Sequence, residues 1–283
     1  MKAVVLSPFQ KVMDSLKTRQ EDNSSQFNKA LARRNFLKNV SLAGAGIAAG
    51  AIIEGCSSGS STHAQGPSET DVLNFALNLE YLEGEFYSKA VTGAPLDSSV
   101  LGSASVATGG QQVTFTIPHL ADIAAEILKD EKLHVMFLRS ALGGMAVAEP
   151  VINLDALGIG FKNETEFLTL SRAFEDVGVS AYAGAATLLS GNNLQAAAQI
   201  LGTEAYHAGN IRLNVVQQGI TVPAVDSLDV PPTEQAFFPV DSNALAIKRT
   251  TSQVLAIVYA NSAAGTSSGG FFPNGLNGNI KTV

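Results

Sequence analysis

Two short stretches carry residues that could do chemistry together. KDEKLHVMF holds Glu131 and His134, and GTEAYHAG holds Glu204 and His207. Both are Glu-x-x-His. On an α-helix, residues three apart share a face, so each stretch can aim one carboxylate and one imidazole at one point. Two such helices, with two more that each give one inward Glu, make up a carboxylate-bridged two-metal centre in a four-helix bundle. The chain supplies the extra carboxylates in the required order. Glu80 lies in LNLEYLEGEFY before the first motif, and Glu175 lies in AFEDVGVSAY between the two. Each is followed seven residues later by a tyrosine, Tyr87 and Tyr182. Seven residues is nearly two turns, which returns the tyrosine to the glutamate's face. The order Glu…Tyr, Glu-x-x-His therefore occurs twice, an internal repeat of a helix pair.

Fe and Mn are ions that take carboxylate oxygen and imidazole nitrogen together. Each of two ions would receive one His and one terminal Glu, with Glu131 and Glu204 expected to bridge and Glu80 and Glu175 expected to be terminal. Four carboxylates balance two divalent cations; without metal they repel and are desolvated, so some should hold protons. Tyr87 and Tyr182 are expected to hydrogen-bond the ligands or to hold water beside them. Glu83 stands one turn from Glu80, so the first helix offers either as its ligand; only Glu80 repeats the Glu175…Tyr182 spacing. Glu85 crowds the same turn. A single Glu-x-x-His is common on helix surfaces, and an inward Glu is often a misjudged surface residue. Here two of only four histidines sit in the motif, each after a Glu-bearing segment. His63 and His119 have no comparable partners and are expected to face solvent.

The elements that must position these residues follow from apolar periodicity and end signals. A first helix should start at Ser68, where S-E-T-D forms a capping-box pattern, and run to Val91 before Gly93. After a Gly/Ser/Thr crossover containing a short extended piece, QQVTFTI, Pro118 suits the first turn of a second helix ending at Leu142. Ile127, Glu131, His134 and Leu138 form its inward stripe, and Asp122, Glu126 and Arg139 should face water. N-E-T-E at 163–166 opens a third helix expected to reach Ser190. Asn192 and Asn193 should cap a fourth that ends at Gly219. A short helix is expected over 250–260, with Leu255, Ile257 and Val258 packing on the bundle. The two phenylalanines in GGFFPNGLNG should pack rather than float. The fold class is all-α: a four-helix bundle over 69–219, with a C-terminal extension over 220–283.

The chain has 283 residues, 46% hydrophobic and 15% charged, with a net charge of −7. That is enough for one sizeable core, and the acidic balance argues against a nucleic-acid partner. Its single cysteine excludes an internal disulfide framework and a cysteine-based zinc site. Lys and Arg gather in the first forty residues. There, Arg33-Arg34 precede Phe36-Leu37-Lys38 and a Gly/Ala-rich apolar run to Ile53, too short and Gly-rich for a stable membrane span. This layout is that of a twin-arginine export signal over 1–56, served by the Tat export machinery. Cys56, ahead of SSGSS, resembles the lipid-bearing first residue of a lipoprotein, although Glu54 fits that box poorly. Cleavage after Thr62-His63-Ala64 is the alternative. Either way the destination is the periplasm or cell envelope, with membrane contact only through a lipid anchor on Cys56. Residues 57–68 read as a Ser/Gly linker.

With these residues in view, the chain resembles the ferritin-like superfamily, which includes ferritins, rubrerythrins and manganese catalases. NFALNLEYLEGEFY, FEDVGVSAY and QVLAIVYANS…GGFFPNGLNG are similar to its desiccation-related branch over roughly 70–280. The resemblance implies a ferritin-like four-helix bundle with family ligands at Glu80, Glu131, His134, Glu175, Glu204 and His207. It implies two Fe or Mn ions as cofactors, and metal ions or small oxygen species as partners. It does not fix the activity, since one scaffold can oxidise Fe(II), reduce or dismute peroxide, or store iron. The leading expectation is an exported stress protein that handles peroxide or Fe(II). The alternatives are a non-catalytic metal-binding envelope protein and a ferritin-type storage cage, with homo-oligomers open in each.

Overall fold

The structure is a computed structural model that describes residues 66–283. The expectations for Arg33, Arg34, Cys56, His63 and the leader lie outside the described residues. Among those described, the fold is all-helical, with only isolated β-bridges. No described helix is long and apolar enough to cross a membrane.

Helix α1 (Glu69–Thr92) starts as its sequence dictates. Ser68 accepts from the Asp71 amide, Asp71 accepts from the Ser68 amide, and Gly93 closes the helix in the left-handed conformation. The short helix α2 (Ser98–Leu101) lies in the crossover. Helix α3 spans Leu120–Leu142 and ends in a 3-10 turn over Gly143–Met145. Helix α4 (Glu164–Ala185) is capped by Asn163, whose side chain accepts from the Glu166 amide. Helix α5 spans Gly191–Gln217, and the short helix α6 spans Thr251–Val258, with a capping box between Thr250 and Gln253.

Helix α1 packs along α3 and α4 along α5, and α1 also touches α4. The two Glu…Tyr, Glu-x-x-His halves thus form two helix pairs joined across α1 and α4. Burial on α1 is not confined to one stripe: nearly every side chain from Val72 to Ser88 is buried. Its outer face is covered by backbone from elsewhere. Asn74 donates to the Met145 carbonyl at 3.0 Å and accepts from the Val147 amide at 2.9 Å. Asn78 exchanges two hydrogen bonds with the backbone of Asn277, at 2.9 and 3.0 Å. The C-terminal tail therefore packs as expected, with Phe271 and Phe272 buried. Helix α6 buries Val254, Leu255 and Val258.

Several boundaries differ from the sequence expectation. Pro118 is not in the first turn of α3; it precedes His119, which takes φ 65° at the N-cap, so the helix begins at Leu120. QQVTFTI forms no strand; it is tied to the bundle by Val113, whose amide donates to the Ala90 carbonyl at 2.9 Å. Helix α4 ends at Ala185 rather than Ser190, because the reversal into α5 uses a 3-10 turn over Ala186–Leu188. Ser190, not Asn192 or Asn193, is the N-cap of α5, and its side chain turns to Glu69 at 2.6 Å. The fourth helix stops at Gln217, two residues before Gly219. Arg139 is half-buried rather than solvated, donating to the Tyr81 hydroxyl at 2.7 Å. Asp122, Glu126 and His119 are exposed as expected.

Candidate metal centre

Each helix brings its residue to the bundle axis on the stripe that the spacing required. Glu80, Glu131, Glu175 and Glu204 have no exposed surface, and His134 and His207 are buried beside them. The six form two tetrads, Glu80–Glu131–His134–Glu204 and Glu131–Glu175–Glu204–His207. Within each tetrad the candidate ligand atoms lie within 4.8 Å of one another. Glu131 and Glu204 belong to both, which is the placement that two bridging carboxylates require. His134 Nδ1 lies 3.2 Å from Glu80, 3.4 Å from Glu131 and 3.5 Å from Glu204. His207 Nδ1 lies 3.1 Å from Glu131 and 3.4 Å from Glu175.

The two tyrosines cross between the halves. Tyr87 on α1 donates to Glu175 Oε1 on α4, with Ser171 Oγ 2.5 Å from its hydroxyl. Tyr182 on α4 donates to Glu80 Oε1 on α1 at 2.5 Å. Glu80 and Glu175 each have one carboxylate oxygen held by a tyrosine and the other turned to an imidazole. Orientation of this kind fixes a ligand without using its free lone pairs.

Whether the donors suit a metal can be tested on their unmet bonds. Glu131 Oε1, Glu175 Oε2, both Glu204 oxygens and His207 Nδ1 are buried without a hydrogen-bond partner. Buried polar atoms are ordinarily paired. Here they approach one another without hydrogen-bond geometry, as atoms aimed at a common third point do. Four carboxylates and two imidazoles also match the donor chemistry of Fe and Mn.

Protonation fits the same picture. Burial and the Glu80 charge push Glu131 up to about 7, and burial and Glu131 raise Glu204 well above the carboxylate range. At Glu80 burial acts upward, but the charge and hydrogen bond of His134 outweigh it and hold the carboxyl low. Burial alone would lower both histidines. The Glu80 charge, with the Glu131 and Glu204 carboxylates close by, raises His134 instead, and the adjacent Glu131 and Glu175 carboxylates push His207 up to about 11. Imidazolium and carboxyl protons thus stand where cations would otherwise balance the charge.

Glu83, the alternative ligand that the first helix offered, stands beside the tetrads, and two further contributors, Asp130 and Gly178, were not legible as site residues. Glu83 is buried and joins the acid cluster, although it belongs to neither tetrad. Burial and the charges of Glu204, Glu131, Glu80 and Glu175 raise its carboxyl well above the usual range. Asp130 Oδ2 lies 3.4 Å from His207 Nε2, on the far side of the ring from Nδ1. Gly178 leaves room for Glu204: a Cβ there would come 2.4 Å from Glu204 Oε2 and 3.2 Å from Glu83 Oε1. The signals were present, since Asp130 directly precedes Glu131 and Gly178 follows Glu175 by one turn. Neither residue type marks itself as part of a site by spacing alone.

Comparison with known proteins agrees with this construction. A family model described as a ferritin-like domain matches residues 68–217, which covers all four long helices. The ferritin-like catalase Nec2 of Nesocodon mauritianus is 22% identical over 266 residues, covering 75% of this chain and 84% of its own length. The all-helical bundle, the paired Glu-x-x-His helices and the match over half of its length place this chain in the ferritin-like domain family.

Proposed function

We propose that the protein holds two Fe or Mn ions and uses them on hydrogen peroxide. Glu131 and Glu204 would bridge, Glu80 and His134 would complete one ion's set, and Glu175 and His207 the other's. The observation that carries this reading is the sharing of Glu131 and Glu204 between two complete tetrads. Bound there, the ions would supply redox equivalents and positive charge for oxygen chemistry. The chain supplies the rest. Tyr87 and Tyr182 hold Glu175 and Glu80 in orientation. The buried apolar walls exclude bulk water, and Glu83 adds a further buried carboxyl beside Glu204. Peroxide is favoured over Fe(II) because the curated relative is a ferritin-like catalase.

The test is to load the metal-free protein with Mn or Fe and measure oxygen release from hydrogen peroxide and, separately, Fe(II) oxidation. Oxygen release is expected. Full metal occupancy with neither activity would overturn the reading and leave a metal-binding structural protein. Retention of iron far beyond about two ions per chain would mark a storage protein instead.

We also propose export to the periplasm or cell envelope through the Tat machinery, on the strength of Arg33-Arg34 and the apolar run behind them. Arg33→Lys with Arg34→Lys should leave full-length protein in the cytoplasm. Normal export of that variant would contradict the twin-arginine reading.

A further inference from the structure

The seam between α3 and α5 carries an open cleft of about 240 Å³. From α3 it is walled by Glu126 and Asp130, one turn apart, and from α5 by Thr203, Tyr206 and Asn210. No Lys or Arg lines it. Its inner wall is His207, only 7% exposed, whose ring separates the cleft from the acid cluster. On the cleft side Nε2 faces Asp130 at 3.4 Å. On the inner side Nδ1 faces Glu131 and Glu175 at 3.1 and 3.4 Å and hydrogen-bonds to neither.

Oxygen and nitrogen donors therefore run in sequence from solvent to the bundle axis: exposed Glu126, half-buried Asp130, His207, then Glu131 and Glu175. From these positions we infer that the α3–α5 cleft is the entry port for divalent metal ions, with Glu126 and Asp130 steering the cation to His207. The charge pattern selects this occupant. A neutral molecule such as hydrogen peroxide can hydrogen-bond to two carboxylates at the mouth but is not steered by their charge, whereas a dication is drawn in and partly relieved of its water before it reaches the buried ligands. A mouth lined by one sign of charge raises the local concentration of the opposite ion and hence its rate of capture. The inference rests on the two-metal reading of the centre.

The experiment mixes metal-free, full-chain protein rapidly with Co(II) at low ionic strength and follows visible absorbance. The final metal content is measured separately. Glu126 is exposed, so its replacement leaves the core intact. Glu126→Lys should slow loading by about tenfold or more and Glu126→Gln by less, while both reach the wild-type metal content. Added salt should narrow the gap. Glu234→Lys makes the same charge change at an exposed position outside the cleft wall and should load at the wild-type rate. Loading of Glu126→Lys at the wild-type rate, or equal slowing by Glu234→Lys, would overturn the port while leaving the centre standing. Wild-type protein that takes up no Co(II) would instead overturn the two-metal reading, and the port with it.

Discussion

Gly178 and Glu83 occupy matching places in the two halves of the repeat, three residues after Glu175 and Glu80. One half gives a carboxyl, the other gives space, and Glu204 with Glu83 occupies the gap. Gly178→Ala should therefore push the Glu204 carboxylate aside and weaken metal binding by about tenfold or more, since small displacements of a ligand or its support have that effect. Competition against a chelator measures this, and unchanged affinity would contradict the placement. Glu80→Gln should impair binding more than Glu83→Gln, because Glu80 alone of the two joins a tetrad. The reverse ranking would move the ligand one turn along α1. The six proposed ligands were legible because each pair is tied to a fixed helical interval. Glu83 was legible only as an alternative to Glu80, and Asp130 and Gly178 were not legible at all, because their roles depend on which neighbouring helix faces them, and that is a tertiary fact.

At the scale of elements, cap residues marked helix starts well where a side chain closes the first turn, as at Ser68 and Asn163. The starts of α3 and α5 were missed because neither N-cap side chain accepts from an amide in the first turn of its helix. The crossover between α1 and α3 is tied down by acids whose roles spacing does not reveal. Glu85 accepts from the Leu96 amide at 3.1 Å and Ser105 Oγ at 2.7 Å, and Glu149 accepts from the Val106 amide at 2.7 Å. Burial and the neighbouring Glu85 carboxyl push Glu149 up to about 8, from an ordinary value of 4.5. A carboxyl whose folded pKa is raised stabilises the fold below its unfolded pKa, and that contribution is lost as pH rises through the folded pKa. Thermal stability should therefore fall between pH 4.5 and about 8, and Glu149→Gln, which stays neutral, should flatten the fall. Melting temperatures across that range check this; identical slopes in both proteins would contradict it.

At the scale of the whole molecule, the bundle is bound to its C-terminal extension by buried arginines. Arg212 donates to Asp176 at 2.6 Å and to the carbonyls of Phe237 and Val230 at 2.7 and 2.8 Å. Arg172 donates to Asp229 and to the Pro223 carbonyl, both at 2.6 Å. Arg249 reaches Asp226 and Ser180, and its carbonyl passes so close to Gly184 that a Cβ there would lie 1.8 Å away. The segment 220–250 is thus a strap whose irregular path satisfies these guanidinium groups, which apolar periodicity cannot anticipate. Arg212→Ala would leave Asp176 buried with reduced compensation and should cost about 3–5 kcal/mol in denaturant unfolding. A loss below about 1 kcal/mol would show that water replaces the guanidinium. The central claim, that this fold is built around two ions, is tested most directly by metal content. Protein purified from its own host, or loaded with Mn or Fe, should hold about two ions per chain, and Glu131→Ala with Glu204→Ala should hold none. Wild-type protein that retains no ion after loading, or a double variant that keeps both, would contradict the account.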